Sequence, residues 1–286
     1  MQKIFLLIIL FILTLAESYS AGGWKRDSTN HYTDSLVMID VFQINPGTSE
    51  IIFHFEIKED WHLYWVNPGD AGLTVSFNWE FPEGTTDTVF SPIPDKKVES
   101  DITSFIHEDK LVLIARILSP DFEYERKDDL YNEIDLELNW LICKEKCLPG
   151  RASFTLKPYN WIELDQIPVE YLSTVKEQYN NLPMLSHDPI SSVEFDDEKV
   201  AIVLLDGYKP VDFYPDKQGI YLYDNDINKS ENSISVSLDP FRYEEPVYLS
   251  GIILYDREEK TPSPRGEKTN PKNNLKYVQI NIPLNK

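Results

Sequence analysis

The chain has 286 residues, a formal net charge of −21 and 42% hydrophobic residues, with 13% of all positions aromatic. That share of apolar and aromatic side chains specifies folded domains, not disorder. The excess of carboxylates excludes nucleic acid as a partner, because phosphate binding needs clustered Lys and Arg, and it disfavours an anionic membrane surface.

In chain order the first element is an export signal. Met1–Lys3 is a short basic start, Ile4–Leu15 is apolar apart from Thr14, and Ala16–Ala21 offers small residues with cleavage after Ser18 or Ser20. This is the pattern of a secretory signal peptide over residues 1–20, and its apolar run falls short of the roughly 20 residues that span a bilayer. No Cys follows the run, which disfavours lipoprotein processing, and no later segment is apolar enough to cross a membrane. The expectation is an exported chain with no stable membrane insertion after cleavage.

Strand patterns follow. Ser35–Phe42, Glu50–Ile57, Leu73–Phe81, Lys110–Ile117, Ile134–Cys143 and Arg151–Leu156 are alternating or apolar runs. Turn signals separate them at Asn67–Asp70, Pro82–Gly84, Ser119–Asp121 and Pro149–Gly150. Residues 21–157 are therefore expected to form one antiparallel β-sandwich. Residues 158–186 read as a linker with a short helix, since Val169, Leu172, Val175 and Tyr179 share a stripe after Pro168. Residues 187–286 read as a second, smaller sandwich with strands at Ile190–Phe195, Lys199–Leu205, Gly219–Tyr223, Ser233–Leu238, Val247–Tyr255 and Tyr277–Ile282. The polar loop Asp256–Leu275 is expected to be mobile. The predicted fold class is all-β, with two antiparallel β-sandwich domains.

Two stretches stand out chemically. In Asp60–Leu73, Trp61, Leu63 and Trp65 alternate with His62 and Tyr64, as along a strand with an aromatic face, and Asn67-Pro68-Gly69-Asp70 is turn chemistry. An aromatic core strand plus a turn accounts for this run; His62 and His54 read as packed or solvent-facing. The second stretch, Asn139–Gly150, holds both cysteines of the chain, Cys143 and Cys147. They flank the three residues Lys144–Lys146 at a hairpin-like tip, close enough for a disulfide. Such a pair can be a structural staple, a redox couple or two soft ligands for Cu(I) or zinc. Closing so short a loop limits the unfolded chain little, about 2 kcal/mol in the chain-entropy model, which counts mildly for redox chemistry. The residues taken alone still favour a structural staple, and only the resemblance given below turns the reading to a redox couple. Lys144 and Lys146 favour a thiolate and Glu145 opposes it. None of the five histidines has ligand spacing with the pair, and the three Met form no cluster, so no metal is expected. No nucleophile elbow, Walker loop or HExxH is present, and no organic cofactor is implied.

WHLYWVNPGDAGL, the following W–E–FPEG, and WLICKEKCLPGRASF together resemble the amino-terminal periplasmic region of DsbD-type thiol:disulfide interchange proteins, and within them the ScsB-like subgroup. The resemblance continues more weakly through Phe213–Pro215, Gly219-Ile220 and Leu249–Ile253, as in relatives with two immunoglobulin-like domains. It implies a periplasmic module that takes electrons from a membrane-embedded electron-transfer protein and passes them to thioredoxin-fold proteins. It assigns Cys147 as the attacking thiol and Cys143 as the resolving one. It also implies a flexible cap loop over the pair between Pro94 and Glu108, with Phe105 as the shield. Trp61, Tyr64, Trp65, Asn67, Pro68, Gly69, Asp70 and Gly72 are carried over as motif residues with a structural role. The sequence departs from the pattern twice. Its cysteines are closer together than in the well-characterised branch, and up to Lys286 it holds neither a transmembrane carrier nor a thioredoxin domain, so both are expected on other polypeptides. The competing class is a non-catalytic immunoglobulin-like binding module with a structural disulfide.

Overall fold

The computed structural model describes residues 26–44, 49–81, 83–118, 133–157, 161–196, 198–216, 228–238, 248–258 and 260–283. The signal segment, the Ser119–Asp121 turn and the strand expected at Gly219–Tyr223 lie outside them. Twelve strands come first: β1 (His31–Thr33), β2 (Val37–Ile44), β3 (Glu50–Ile57), β4 (His62–Gly69), β5 (Ser76–Glu80), β6 (Thr86–Phe90), β7 (Asp95–Glu99), β8 (Ile102–Glu108), β9 (Lys110–Leu118), β10 (Ile134–Cys143), β11 (Cys147–Leu156) and β12 (Trp161–Ile162). Helix α1 (Val169–Asn180) follows. Then come β13 (Ile190–Phe195), β14 (Lys199–Leu204), β15 (Tyr208–Pro215), β16 (Asn228–Lys229), β17 (Ser233–Ser237), β18 (Tyr248–Arg257), β19 (Lys268–Thr269) and β20 (Lys276–Pro283). The fold is all-β and immunoglobulin-like, with antiparallel pairing throughout the main ladders.

The first sandwich faces a sheet of order β1-β2-β3-β9-β6 against one of order β11-β10-β4-β8-β7. Its core follows the period of two: Leu136, Leu138, Trp140 and Ile142 point inward from β10, while Asp135, Glu137 and Asn139 alternate outward. The first sheet is buried on both faces, which is why β3 lacks clean alternation. Ile51, Phe53 and Phe55 enter the sandwich core, whereas Ile52 meets a second cluster under α1.

The linker is docked, not free. β12 pairs in parallel with β2, and Tyr171 and Val175 of α1 pack on Phe42, Ile114 and Ile162. Pro168 is the cap residue before the first turn. The expected stripe is corrected at its start: Val169 is 83% exposed, and Tyr171 takes the buried place against Phe42 and His54. Val169 is the first residue of the helix.

The second sandwich faces β13-β14-β17-β16 against β15-β18-β20-β19 around Val200, Ile202, Ile234, Phe213, Ile253 and Tyr277. The loop after β18 is fastened, against expectation. Arg257 binds Glu267, the Thr261 carbonyl and Ser263, and β19 pairs with β20.

Candidate functional site

The β10–β11 register sets Cys143 opposite Cys147 at the end of the longest hairpin, and the two are joined as a disulfide with a Cα separation of 4.1 Å. Their environments differ. Cys143 is 2% exposed, whereas Cys147 and the loop residues Lys144, Glu145 and Lys146 are exposed. Parity puts both on the outer face of β10–β11, opposite to that of Ile142 and Trp140. The difference comes from position in the sheet, because Cys143 pairs with His62 of β4 whereas Cys147 lies on the edge strand β11. Tyr64 pairs in turn with Ile106 of β8. Counting by two along each strand brings His62, Tyr64 and Ile106 to the disulfide face, and Tyr64, Ile106 and the partly buried Leu141 enclose Cys143.

The polar groups form a short chain. Tyr64 Oη is 3.9 Å from Cys147 Sγ, and His62 Nε2 is 3.4 Å from Tyr64 Oη. Burial, assisted by Lys97 and opposed by Glu99, holds the His62 imidazole below its ordinary range. Burial and the negative Glu99 push the Tyr64 hydroxyl up. Near neutral pH Tyr64 therefore keeps its proton and can donate it in a hydrogen bond to sulfur. Lys144, expected to act on the thiols, forms an exposed ion pair with Asp60 at 2.8 Å, which tethers the loop to the start of β4.

The motif residues divide by face. Trp61 and Leu63 pack toward the first core, and Trp65 joins the cluster that continues into the second sandwich. Asn67 donates from Nδ2 to the Pro215 carbonyl of β15, and its Oδ1 accepts from the Gly69 amide. Pro68 is buried beside it. The Asp70 carboxylate accepts from the Thr103 amide, and its own amide donates to the Thr103 carbonyl, locking the turn to β8. Gly69 has φ +84°, and a Cβ there would lie 2.3 Å from the Thr103 carbonyl oxygen. Gly72, at φ +109°, lies so close over the Tyr64 ring that a Cβ would fall 2.3 Å from it. Only glycine fits either place.

Two expectations are corrected here. Residues 95–108 form the β7–β8 hairpin with a two-residue turn at Ser100-Asp101, both at positive φ, where a flexible loop was expected. Phe105 faces away from the disulfide: it packs on Trp65 and Tyr214, with ring centroids 5.9 and 5.0 Å away. The residue on Cys143 is its neighbour Ile106, because adjacent strand residues point to opposite faces. Ile106 is not singled out by sequence, and His62 reads there only as packed or solvent-facing; for His62 the available signal of its place here is its position two residues before Tyr64. Among the described residues no three His, Cys, Asp or Glu side chains cluster as a metal site.

Residues 35–158 match the family of the amino-terminal domain of the thiol:disulfide interchange protein DsbD. In fold the chain is similar to the amino-terminal periplasmic domain of ScsB from Proteus mirabilis, with a TM-score of 0.60 and 14% identity, over 90% of this chain and 98% of that one. A smaller overlap relates it to the reduced amino-terminal domain of DsbD from Neisseria meningitidis, at 12% identity and a TM-score of 0.31, over 43% of this chain and 85% of that one. A further similarity is to a complex of the DsbD and PilB amino-terminal domains from that organism, at 9% identity and a TM-score of 0.31, over 42% of this chain and 80% of the other. No curated protein matches the chain.

Proposed function

We propose, on the match of residues 35–158 to the DsbD amino-terminal family and the likeness in fold to the ScsB domain, that the chain is an exported thiol–disulfide interchange module working through Cys143 and Cys147. Electrons arrive from a membrane-embedded reductase and leave to thioredoxin-fold proteins in the periplasm, with no organic cofactor. The observation that carries this reading is the asymmetry of the bonded pair, one sulfur open to a visitor and the other enclosed.

The chemistry balances without any further oxidant or reductant. A donor thiolate attacks the accessible Sγ of Cys147, the S–S bond breaks, and Cys143 departs as thiolate and takes up a proton. The donor's second thiol, losing its proton, displaces Cys147, leaving the donor oxidised and the pair reduced. In the forward half, the Cys147 thiolate attacks a client disulfide and releases one client thiol. Cys143, deprotonated, then attacks Cys147 Sγ, closing the intramolecular bond and freeing the second client thiol. Tyr64 supplies a hydrogen bond to Cys147 in its thiolate form, since the hydroxyl already lies 3.9 Å from that sulfur.

The test is a trapping experiment. Cys143→Ser removes the resolving thiol, so mixed disulfides through Cys147 accumulate in an extract of the exported fraction. Cys147→Ser accumulates none. A reduction potential well below about −300 mV together with an empty trap identifies the bond as a structural staple and overturns the reading.

A further inference from the structure

We propose that the second sandwich anchors the β7–β8 hairpin, holding it as a fixed shield over Cys143. This deepens the interchange reading and rests on it, because a shield has a function only where the bond beneath it is exchanged.

The hairpin has two faces with different partners. In its register Asp95 is opposite Ile106, Lys97 opposite Ser104 and Glu99 opposite Ile102, so these residues share one face. From that face Ile106 closes on Cys143, and the charges of Lys97 and Glu99 act on His62 and Tyr64. Lys96, opposite Phe105, lies on the other face, which meets the second sandwich. There Phe105 packs on Tyr214 at 5.0 Å, and Lys96 pairs with Asp212 at 3.2 Å with both side chains largely covered. At the edge Asp95 pairs with Lys272. Asn67 adds a bond from the end of β4 to the Pro215 carbonyl. Asp212, Tyr214 and Pro215 all belong to β15, so a single strand of the second sandwich supplies most of the contacts.

The hairpin needs such support. In the sheet order β11-β10-β4-β8-β7, β7 is the edge strand with a neighbour on one side only. Val98 and Ile102 beside the turn are about half exposed, at 49% and 47%, so the tip has little core of its own. β8 is held on its other side by β4, so the parts that lean on the second sandwich are β7 and the turn. What fixes those parts is therefore the outer face against β15.

The test uses the full chain and a small thiol. Lys96→Ala removes the buried ion pair, Lys96→Arg keeps it, and Tyr214→Ala removes the ring beneath Phe105. The disulfide is reduced with dithiothreitol and followed by mass, while hydrogen exchange is read separately in β8 and in β10–β11. Lys96→Ala is expected to speed reduction about threefold, and Lys96→Ala with Tyr214→Ala about tenfold, in line with the small energies of such pairs. Lys96→Arg restores the original rate, and exchange rises in β8 alone. Unchanged reduction rates sink the proposal, whether or not β8 loosens. So does exchange that rises equally in β8 and β10–β11, which marks general destabilisation instead of a released hairpin. Because dithiothreitol needs no client, this outcome is independent of the trapping experiment that decides the interchange reading.

Discussion

The two faces of β4 and β8 come from the same few residues and do opposite work. On one, His62, Tyr64 and Ile106 gather around a bonded sulfur pair of which one member is exposed. On the other, Leu63 enters the first core, while Trp65 and Phe105 are buried against the second sandwich. The first face keeps polar atoms and an exposed edge at residues 144–149. The second is closed, aromatic and continuous across the junction. The disulfide face and the closed aromatic face are thus separated by a single residue step along the strand.

Substitutions can break this contrast from either side. The largest effect is expected on the reactive face: Cys147→Ser abolishes disulfide exchange with any thioredoxin-fold client, whereas Cys143→Ser keeps the first attack and stalls at the mixed disulfide, as non-reducing gels will show. On the closed face, Phe105→Ala removes a fully buried ring and is expected to cost about 3–5 kcal/mol, read from the urea midpoint.

Acidification tests both faces together. Burial holds the His107 imidazole down at about 3, with Lys272 adding to the effect, and His54 at about 4, with Lys110 adding. His62 is also lowered. Each group is depressed in the folded state, so the unfolded chain takes up protons first as pH drops. Stability is full above the ordinary imidazole value of 6.5 and falls below it, until the folded-state values are reached. Each group contributes at most about 1.4 kcal/mol per pH unit over that window. Urea midpoints at pH 7.5, 5.5 and 4.5 on the order of this slope will check it. Loss of slope in His107→Gln assigns a share to the closed face.

Smaller effects sharpen the picture. Tyr64→Phe keeps the ring over Cys143 and removes the hydroxyl near Cys147; exchange is expected to slow about three- to tenfold with little change in melting temperature, the scale of one hydrogen bond to a charged group. Lys144→Ala breaks an exposed ion pair with Asp60 and is expected to leave the melting temperature unchanged, with at most a slight change in exchange rate.

Much of the architecture was legible in residue order. The alternation of Ile134–Cys143 reads directly as β10, and a three-residue spacing at a strand end reads as a hairpin tip. Other parts were not. β7 and β8 do not read as strands, since the resemblance puts a cap loop between Pro94 and Glu108, and the partners that meet the hairpin come from β4 and from β15, the latter more than a hundred residues away. The choice of Phe105 comes from the resemblance and chain order alone, which do not say to which side of β8 a residue points; it packs on Trp65 and Tyr214, and its neighbour Ile106 meets Cys143. The linker helix was legible from its stripe, but the surface that receives it was not, because that surface is scattered over β2, β3, β9 and β12.

The sequence alone determined the strands with one polar face, the close cysteine pair and the turn glycines, because period, spacing and backbone freedom are local properties. Only the tertiary structure decided which sulfur is covered, that Tyr64 and His62 stand beside the pair, and that a second sandwich grips the hairpin. Those depend on which side of a strand is buried, and burial is settled by distant segments meeting in space.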